Sequence, residues 1–239
     1  MLRPIAENLW SHDTSLRMPG GVHLPSRATV VRTSTGELLL HSPLALDDAT
    51  AAELDRLGEV RWIVAPSAVH WLFVKAAKER YPNAKVLGAP LLQRKLPDFP
   101  MDPLPARGAV DPALGDELEV LRIDGAPFMD EHVFFHRPSR TALVTDLLFN
   151  VRQSESFVTR FFLRLVGTLG KTAQSRIWRL LVRDRGAAAE SASHLLRWDF
   201  RRLVMAHGDL LDDSAHARTT VALGWMTRAA PKLLAAPQA

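Results

Sequence analysis

The sequence predicts an α/β fold with α+β character, and three observations carry that expectation. Short apolar runs rich in Val, Ile and Leu alternate with stretches of helical periodicity between Val60 and Gly88. Elsewhere, pairs of such runs flank turn residues, as hairpin strands do. Apolar residues make up 47% of the 239, with 13 Gly and 16 Pro, which suits one large globular domain or two small ones.

The elements follow in chain order. "ATVVRT" and "ELLLHS" flank Ser34-Thr35-Gly36 and read as a hairpin. "DDATAAELDRLG" reads as a helix capped by Asp47 or Asp48, with Ala51, Leu54 and Leu57 on its apolar face and Gly58 at its stop. "VRWIVAP" is a short buried strand, "AVHWLFVKAAKERYP" a helix ended by Pro82, and "AKVLGAP" the next strand. This alternation predicts parallel pairing through right-handed crossovers. Leu91 to Gly115 is rich in Pro and Asp and reads as a long surface loop. Three strands are expected next: "LEVLRI", "EHVFFH" and "TALVT", the last two joined by Pro-Ser-Arg. Helical periodicity then runs from about 151 to 198. "RRLVMAH" is the last strand, and Asp212 or Asp213 is expected to cap a closing helix to about Arg228. The expected organisation is one domain over 1–239 with a helical insert at about 151–198.

Composition removes several function classes. There is no cysteine, so disulfides, thiolate metal sites and thiol nucleophiles are excluded. The N-terminal "MLRPIAENLWSHD" lacks the apolar core of a signal peptide, and no apolar run is long enough to span a bilayer, so a cytoplasmic protein is the expectation. The formal net charge is +4, unevenly spread. Between Val158 and Arg183 lie six basic residues and no acidic one.

Two strand ends stand out. "VTDLLFN" puts Asp146 just past an apolar run, and "LVMAHGDLL" puts His207, Gly208 and Asp209 past another. Together with "HSP", "IVAP", His70 and "YPNAK", the string "FFHRPSRTALVTDLLFN" resembles an uncharacterised family of degenerate members of the metallo-β-lactamase superfamily, through nearly the whole chain. The resemblance implies a four-layer αββα sandwich. The parent's His-x-His-x-Asp-His motif falls on "PSAVHW": Pro66 and Ala68 replace its first two histidines, His70 takes the Asp position and Trp71 the last His. A dinuclear zinc site of the parent type is therefore not expected. At the second metal position the resemblance brings His70, Asp146 and His207 together. Two histidines and one carboxylate suit a single zinc, iron or manganese ion. These three are the candidate catalytic and metal residues; the competing reading makes Asp146 a structural partner of His207.

Further candidates come from the residues themselves. Strand alternation puts Glu131, Val133 and Phe135 on one face and His132, Phe134 and His136 on the other. Arg137 and Arg140 near the turn could pair with a substrate carboxylate or phosphate, or simply tie the turn down. Glu131, Arg137, Arg140 and Trp71 form the candidate substrate-binding set; Trp71 could cover the lost ligand position or be ordinary core. His41 and Ser42 are adjacent on a strand, hence a poor nucleophile–base pair.

In the basic segment, Phe157, Phe161, Leu165 and Leu169 recur every four residues as one stripe, while Arg176, Arg179 and Arg183 share another face. Three uses compete: a helical hairpin packed on the sheet, an anionic membrane surface contact, and a homodimer contact through Phe161 and Phe162. Coverage of the stripe by the domain itself is the expectation, since soluble monomers avoid contiguous apolar patches. Charge alone points to nucleic acid, but no binding module supports it. Three functions follow: a hydrolase with one metal acting on an ester, lactone or phosphoester; a metal-free protein binding a small molecule in the inherited cleft; or an interaction role for the basic helices, as monomer or homodimer.

Overall fold

Two strands precede the first predicted hairpin. In the computed structural model, which describes residues 1–227, β1 (Leu2–Ala6) and β2 (Leu9–Met18) pair antiparallel. Their half-exposed, mixed residues carry no clean alternation, so the sequence does not flag them. The expected hairpin follows as β3 (Val22–Arg32) and β4 (Leu38–His41), with Val30 opposite Leu40. Helix α1 (Asp48–Leu57) is capped by the Asp47 carboxylate, which accepts from the Thr50 amide at 2.7 Å. Then come β5 (Val60–Ala65), α2 (Val74–Arg80) and β6 (Lys85–Gly88). Strands β4, β5 and β6 pair in parallel, as the alternation predicts. Helix α2 starts later than expected because the Ser67 hydroxyl accepts from the amides of Val69 and His70 and turns the chain there.

The stretch read as a loop carries short elements: α3 (Leu92–Lys95), β7 (Asp102–Pro103) and β8 (Arg107–Ala109). The three predicted strands are β9 (Leu118–Arg122), β10 (His132–His136) and β11 (Thr141–Val144). The helical stretch holds α4 (Phe157–Val166), α5 (Arg176–Leu180) and α6 (Arg185–Leu195), before β12 (Arg202–Met205) and α7 (Ala215–Thr227). The Asp212 carboxylate bonds Arg202 Nε at 2.5 Å. Arg228 lies outside the described residues.

One sheet runs in the order β1 to β7; the other runs β12-β11-β10-β9-β8. Three apolar clusters show how they stack. Leu39, Trp62 and Val64 meet Phe134, Leu143 and Val204 between the sheets. The opposite face of the first sheet, with Leu40 and Ile63, packs on Leu54 of α1 and Ala77 of α2. The outer face of the second, with Phe135 and Val144, packs on Leu195 of α6 and Leu223 of α7. The result is the αββα sandwich. Strands buried on both faces read as continuous apolar runs because neither face meets water.

The stripe on α4 is not covered by the domain. The helix ends at Val166, with Gly167 (φ +80) as its cap, so Leu169 is not part of it. Thr159, Leu163 and Val166 face the interior, whereas Phe157, Phe161 and Leu165 face outward. Periodicity identifies two faces of a helix; it does not say which one the sheet takes.

Candidate metal centre

Strands β11 and β12 are parallel and in register, Val144 opposite Met205. Each chain continues two residues beyond that pair, to Asp146 and His207, so the shared edge places these side chains together. The other sheet supplies the third. Ser42 follows β4, its amide donating to the Val64 carbonyl of β5 at 2.9 Å, and the turn after β5 carries His70. His70 Nε2 lies 3.3 Å from one Asp146 oxygen and His207 Nε2 lies 3.2 Å from the other. One donor atom from each of the three residues falls within 4.8 Å of the other two. Two imidazoles and a carboxylate are a donor set that suits zinc, and each imidazole meets a different Asp146 oxygen.

The outer hydrogen bonds fix which ring nitrogens face inward. His207 Nδ1 lies 2.9 Å from the Pro25 carbonyl, which can only accept, so Nδ1 carries the hydrogen. A neutral His207 then presents a bare Nε2 lone pair to a carboxylate oxygen. Two acceptors at that separation need a cation between them or a second proton on the ring. His70 Nδ1 is 2.9 Å from Ser42 Oγ, which leaves its Nε2 for the same centre. Such partners set the tautomer and aim of a ligating imidazole. Ser42 sits at φ +53, a left-handed conformation that is uncommon outside glycine. Only 3% of it is exposed, so no substrate carbon can reach its hydroxyl and its role is orientation.

Charge couples the group. Burial works against the charged form of His70, but the Asp146 carboxylate outweighs it and raises the His70 pKa. Burial alone would raise Asp146, yet His70 and His207 together hold it well below the usual carboxylate range. His41, beside Ser42, points away from this chemistry: its ring meets Phe134 edge-on, and burial lowers its pKa to about 3.

The substrate-binding candidates lie elsewhere. Glu131 is fully buried on the face of β10 that packs on the helices. One of its oxygens accepts from the amides of Thr145 and Leu147 at 2.9 and 3.0 Å and from the Thr145 hydroxyl. The other accepts from Trp178 Nε1 of α5 at 3.2 Å. Both amides flank Asp146, so Glu131 holds the turn that presents it. Arg137 and Arg140 sit at the β10–β11 turn, the opposite end of β11 from Asp146, and pair with Glu119 and Asp199. Hairpin geometry therefore keeps them from the centre. Trp71 packs against the cluster of α1 and α2 as partly buried core. At the first metal position, Ala68 is buried with its carbonyl taken by Lys95 Nζ, and the Pro66 carbonyl accepts from the His132 amide.

Three supports carry no signal in the sequence. Arg27 NH1 donates to the carbonyls of Met205 and Gly208, at 3.1 and 2.8 Å, bracing both sides of His207. Phe149 stacks on the His207 ring at 4.9 Å. A cavity of about 310 Å³ abuts the same strand end, with Arg3, Arg27 and Arg152 in its wall. Gly208 is required there as well: at φ +96, a Cβ would come within 2.4 Å of the Asn150 backbone.

Residues 6–176 match the family described as a domain of unknown function, DUF4336. The chain belongs to the DUF4336 family. No curated protein matches it. Among solved structures, the DUF4336 chain is similar to the DIM-1 metallo-β-lactamase, at 15% identity over 94% of this chain and 96% of that one, TM-score 0.63. A metallo-β-lactamase from Pontibacter korlensis matches at 18% identity over 94% and 98%, TM-score 0.62. The FIM-1 metallo-β-lactamase from Pseudomonas aeruginosa, in a mono-zinc form, matches at 14% identity over 95% and 96%, TM-score 0.60. At these identities the likeness establishes the metallo-β-lactamase fold, which the layer order shows independently.

Proposed function

We propose that this DUF4336 protein is a hydrolase-type enzyme that uses one divalent ion, held by His70, Asp146 and His207, on an ester, lactone or phosphoester. What supports the reading is the convergence of His70 Nε2 and His207 Nε2 on the two Asp146 oxygens, at 3.3 and 3.2 Å, with the outer ring nitrogens already held by Ser42 and the Pro25 carbonyl. Zinc, iron and manganese all accept two imidazoles and a carboxylate. The mono-zinc form of FIM-1 supports a single ion on this fold. A bound ion supplies Lewis acidity and a water made nucleophilic at neutral pH.

The chain's own residues orient and hold. Ser42 and the Pro25 carbonyl aim the two imidazoles, Arg27 braces the end of β12, and Glu131 holds the Asp146 turn. Pro66 and Ala68 offer no side-chain donor, so a second ion of the parent type has no ligands there. Arg3 and Arg152 in the neighbouring cavity supply positive charge for an anionic small-molecule substrate, a part that Arg137 and Arg140 are too far away to play.

Zinc titration by calorimetry, with elemental analysis of the purified protein, tests the proposal. One ion per chain is the expected result, and Asp146→Asn should remove it. Full metal content in that variant would place the ligands elsewhere. Binding of no divalent ion at neutral pH would leave the metal-free reading, a cleft that binds a small molecule.

A further inference from the structure

The outward face of α4 carries Phe157, Phe161 and Leu165 on successive turns, 70, 61 and 60% exposed. Thr159, Leu163 and Val166 on its other face anchor the helix, with the Thr159 hydroxyl accepting from the His23 amide at 2.9 Å. The apolar surface extends beyond α4. Arg176 NH1 donates to the Leu165 carbonyl at 3.0 Å, bringing the start of α5 to the end of α4, and α5 exposes Ile177 and Leu180. The same segment carries six cations, Arg160 and Arg164 on α4, Arg176 and Arg179 on α5, and Lys171 and Arg183, with no acidic residue between Val158 and Arg183. Among the described residues, none of the six makes an ion pair with a carboxylate. Arg160 and Arg176 bond only backbone carbonyls. No helix among the described residues is long and apolar enough to cross a membrane.

We propose that the α4–α5 face is a docking surface for an anionic lipid bilayer, with Phe157, Phe161 and Leu165 entering the headgroup–acyl boundary and the surrounding arginines meeting lipid phosphates and carboxylates. An amphipathic helix with aromatic and aliphatic residues on one side and cations beside them lies in that interface. Each Lys or Arg near an anionic surface strengthens attachment, and the contributions add. Charge decides between the bilayer and a second copy of the chain. A two-fold dimer would set this patch against itself, the arginines of α4 and α5 facing those of the other copy. An anionic surface neutralises them instead. The proposal is independent of the metal centre.

Sedimentation of the full chain with phosphatidylcholine vesicles, with and without phosphatidylserine, tests it at low and high salt. The protein should pellet with the anionic vesicles and not the neutral ones, and release as salt is raised. Arg160→Glu combined with Arg164→Glu should weaken attachment by about tenfold or more. Phe161→Asp should weaken it comparably with an unchanged melting temperature, because that side chain faces solvent; if this variant is unstable, Leu165→Ser makes the same measurement. No pelleting at low salt, equal pelleting with both vesicle types, or pelleting unaffected by both sets of substitutions would overturn the proposal. A concentration-dependent dimer that Phe161→Asp dissolves, without vesicle attachment, would overturn it in favour of a second copy.

Discussion

Two carboxylates that meet at one turn, the buried Glu131 and the half-buried Asp146, are treated in opposite ways. Glu131 faces only hydrogen-bond donors: two amides, a hydroxyl and an indole N–H. Burial, then the nearby Asp146 charge, raises its pKa. Asp146 faces two imidazole nitrogens, and their charge lowers its pKa despite burial. A carboxylate ringed by donors is complete within the protein and acts as scaffold. One ringed by imidazole nitrogens sits among groups that can exchange their protons for a metal ion. Exposure differs in the same sense: Glu131 is wholly enclosed, whereas 17% of the Asp146 side chain remains exposed.

The largest effect that can break the comparison comes from Asp146. Asp146→Asn should abolish zinc binding in calorimetry while leaving a cooperative unfolding transition, since the amide fills the same volume. Loss of folding would make Asp146 scaffold as well, and the contrast would fail. Glu131→Ala should do the reverse, leaving the Thr145 and Leu147 amides and the Trp178 indole unsatisfied at a cost of about 3 kcal/mol or more in urea unfolding. A change below ~1 kcal/mol would show that solvent reaches those donors.

A smaller effect belongs to the orienting groups. Ser42→Ala removes the partner of His70 Nδ1 without touching a ligand atom, and partners of that kind are worth ~10–100-fold in metal affinity. An unchanged zinc affinity would mean that packing alone aims the ring. The most delicate test is pH. His70 is raised above its ordinary 6.5, so in the metal-free protein its pairing with Asp146 contributes fully below that value and is lost as pH climbs through the raised one. Zinc competes with the same proton, so its stabilisation should grow over that rise. Melting temperatures with and without zinc should therefore diverge as pH increases; parallel curves would count against His70 as a ligand.

The boundary between legible and illegible runs through particular residues. Strands β4, β5, β10 and β11 are legible because they are largely buried on both faces and carry apolar runs, while the αββα layering was implied by the family resemblance. The edge strand β1 and its neighbour β2 are not, because half-exposed strands tolerate charge and proline. Alternation places Glu131 and His132 on opposite faces, but it does not say which face belongs to the cleft. Glu131 is therefore expected at the substrate and lies instead beneath the helices. Arg137 and Arg140 fail similarly: sequence shows that they border a turn, while strand direction decides that the turn lies at the far end from Asp146.

What the sequence by itself determined is local and periodic. Strand runs, helix stops and the lack of any thiol follow from side-chain chemistry or backbone sterics at one position. Tertiary structure decided whatever depends on two distant segments sharing a surface. The parallel register of β11 and β12 brings Asp146 to His207, and the facing of the two sheets adds His70 and pairs it with Ser42 rather than leaving Ser42 to its neighbour His41. The same layer of decision turned the Phe157–Leu165 stripe of α4 outward. A helix with two usable faces buries whichever one its neighbours complement, and here Thr159 met the β3 backbone while the phenylalanines were left to solvent.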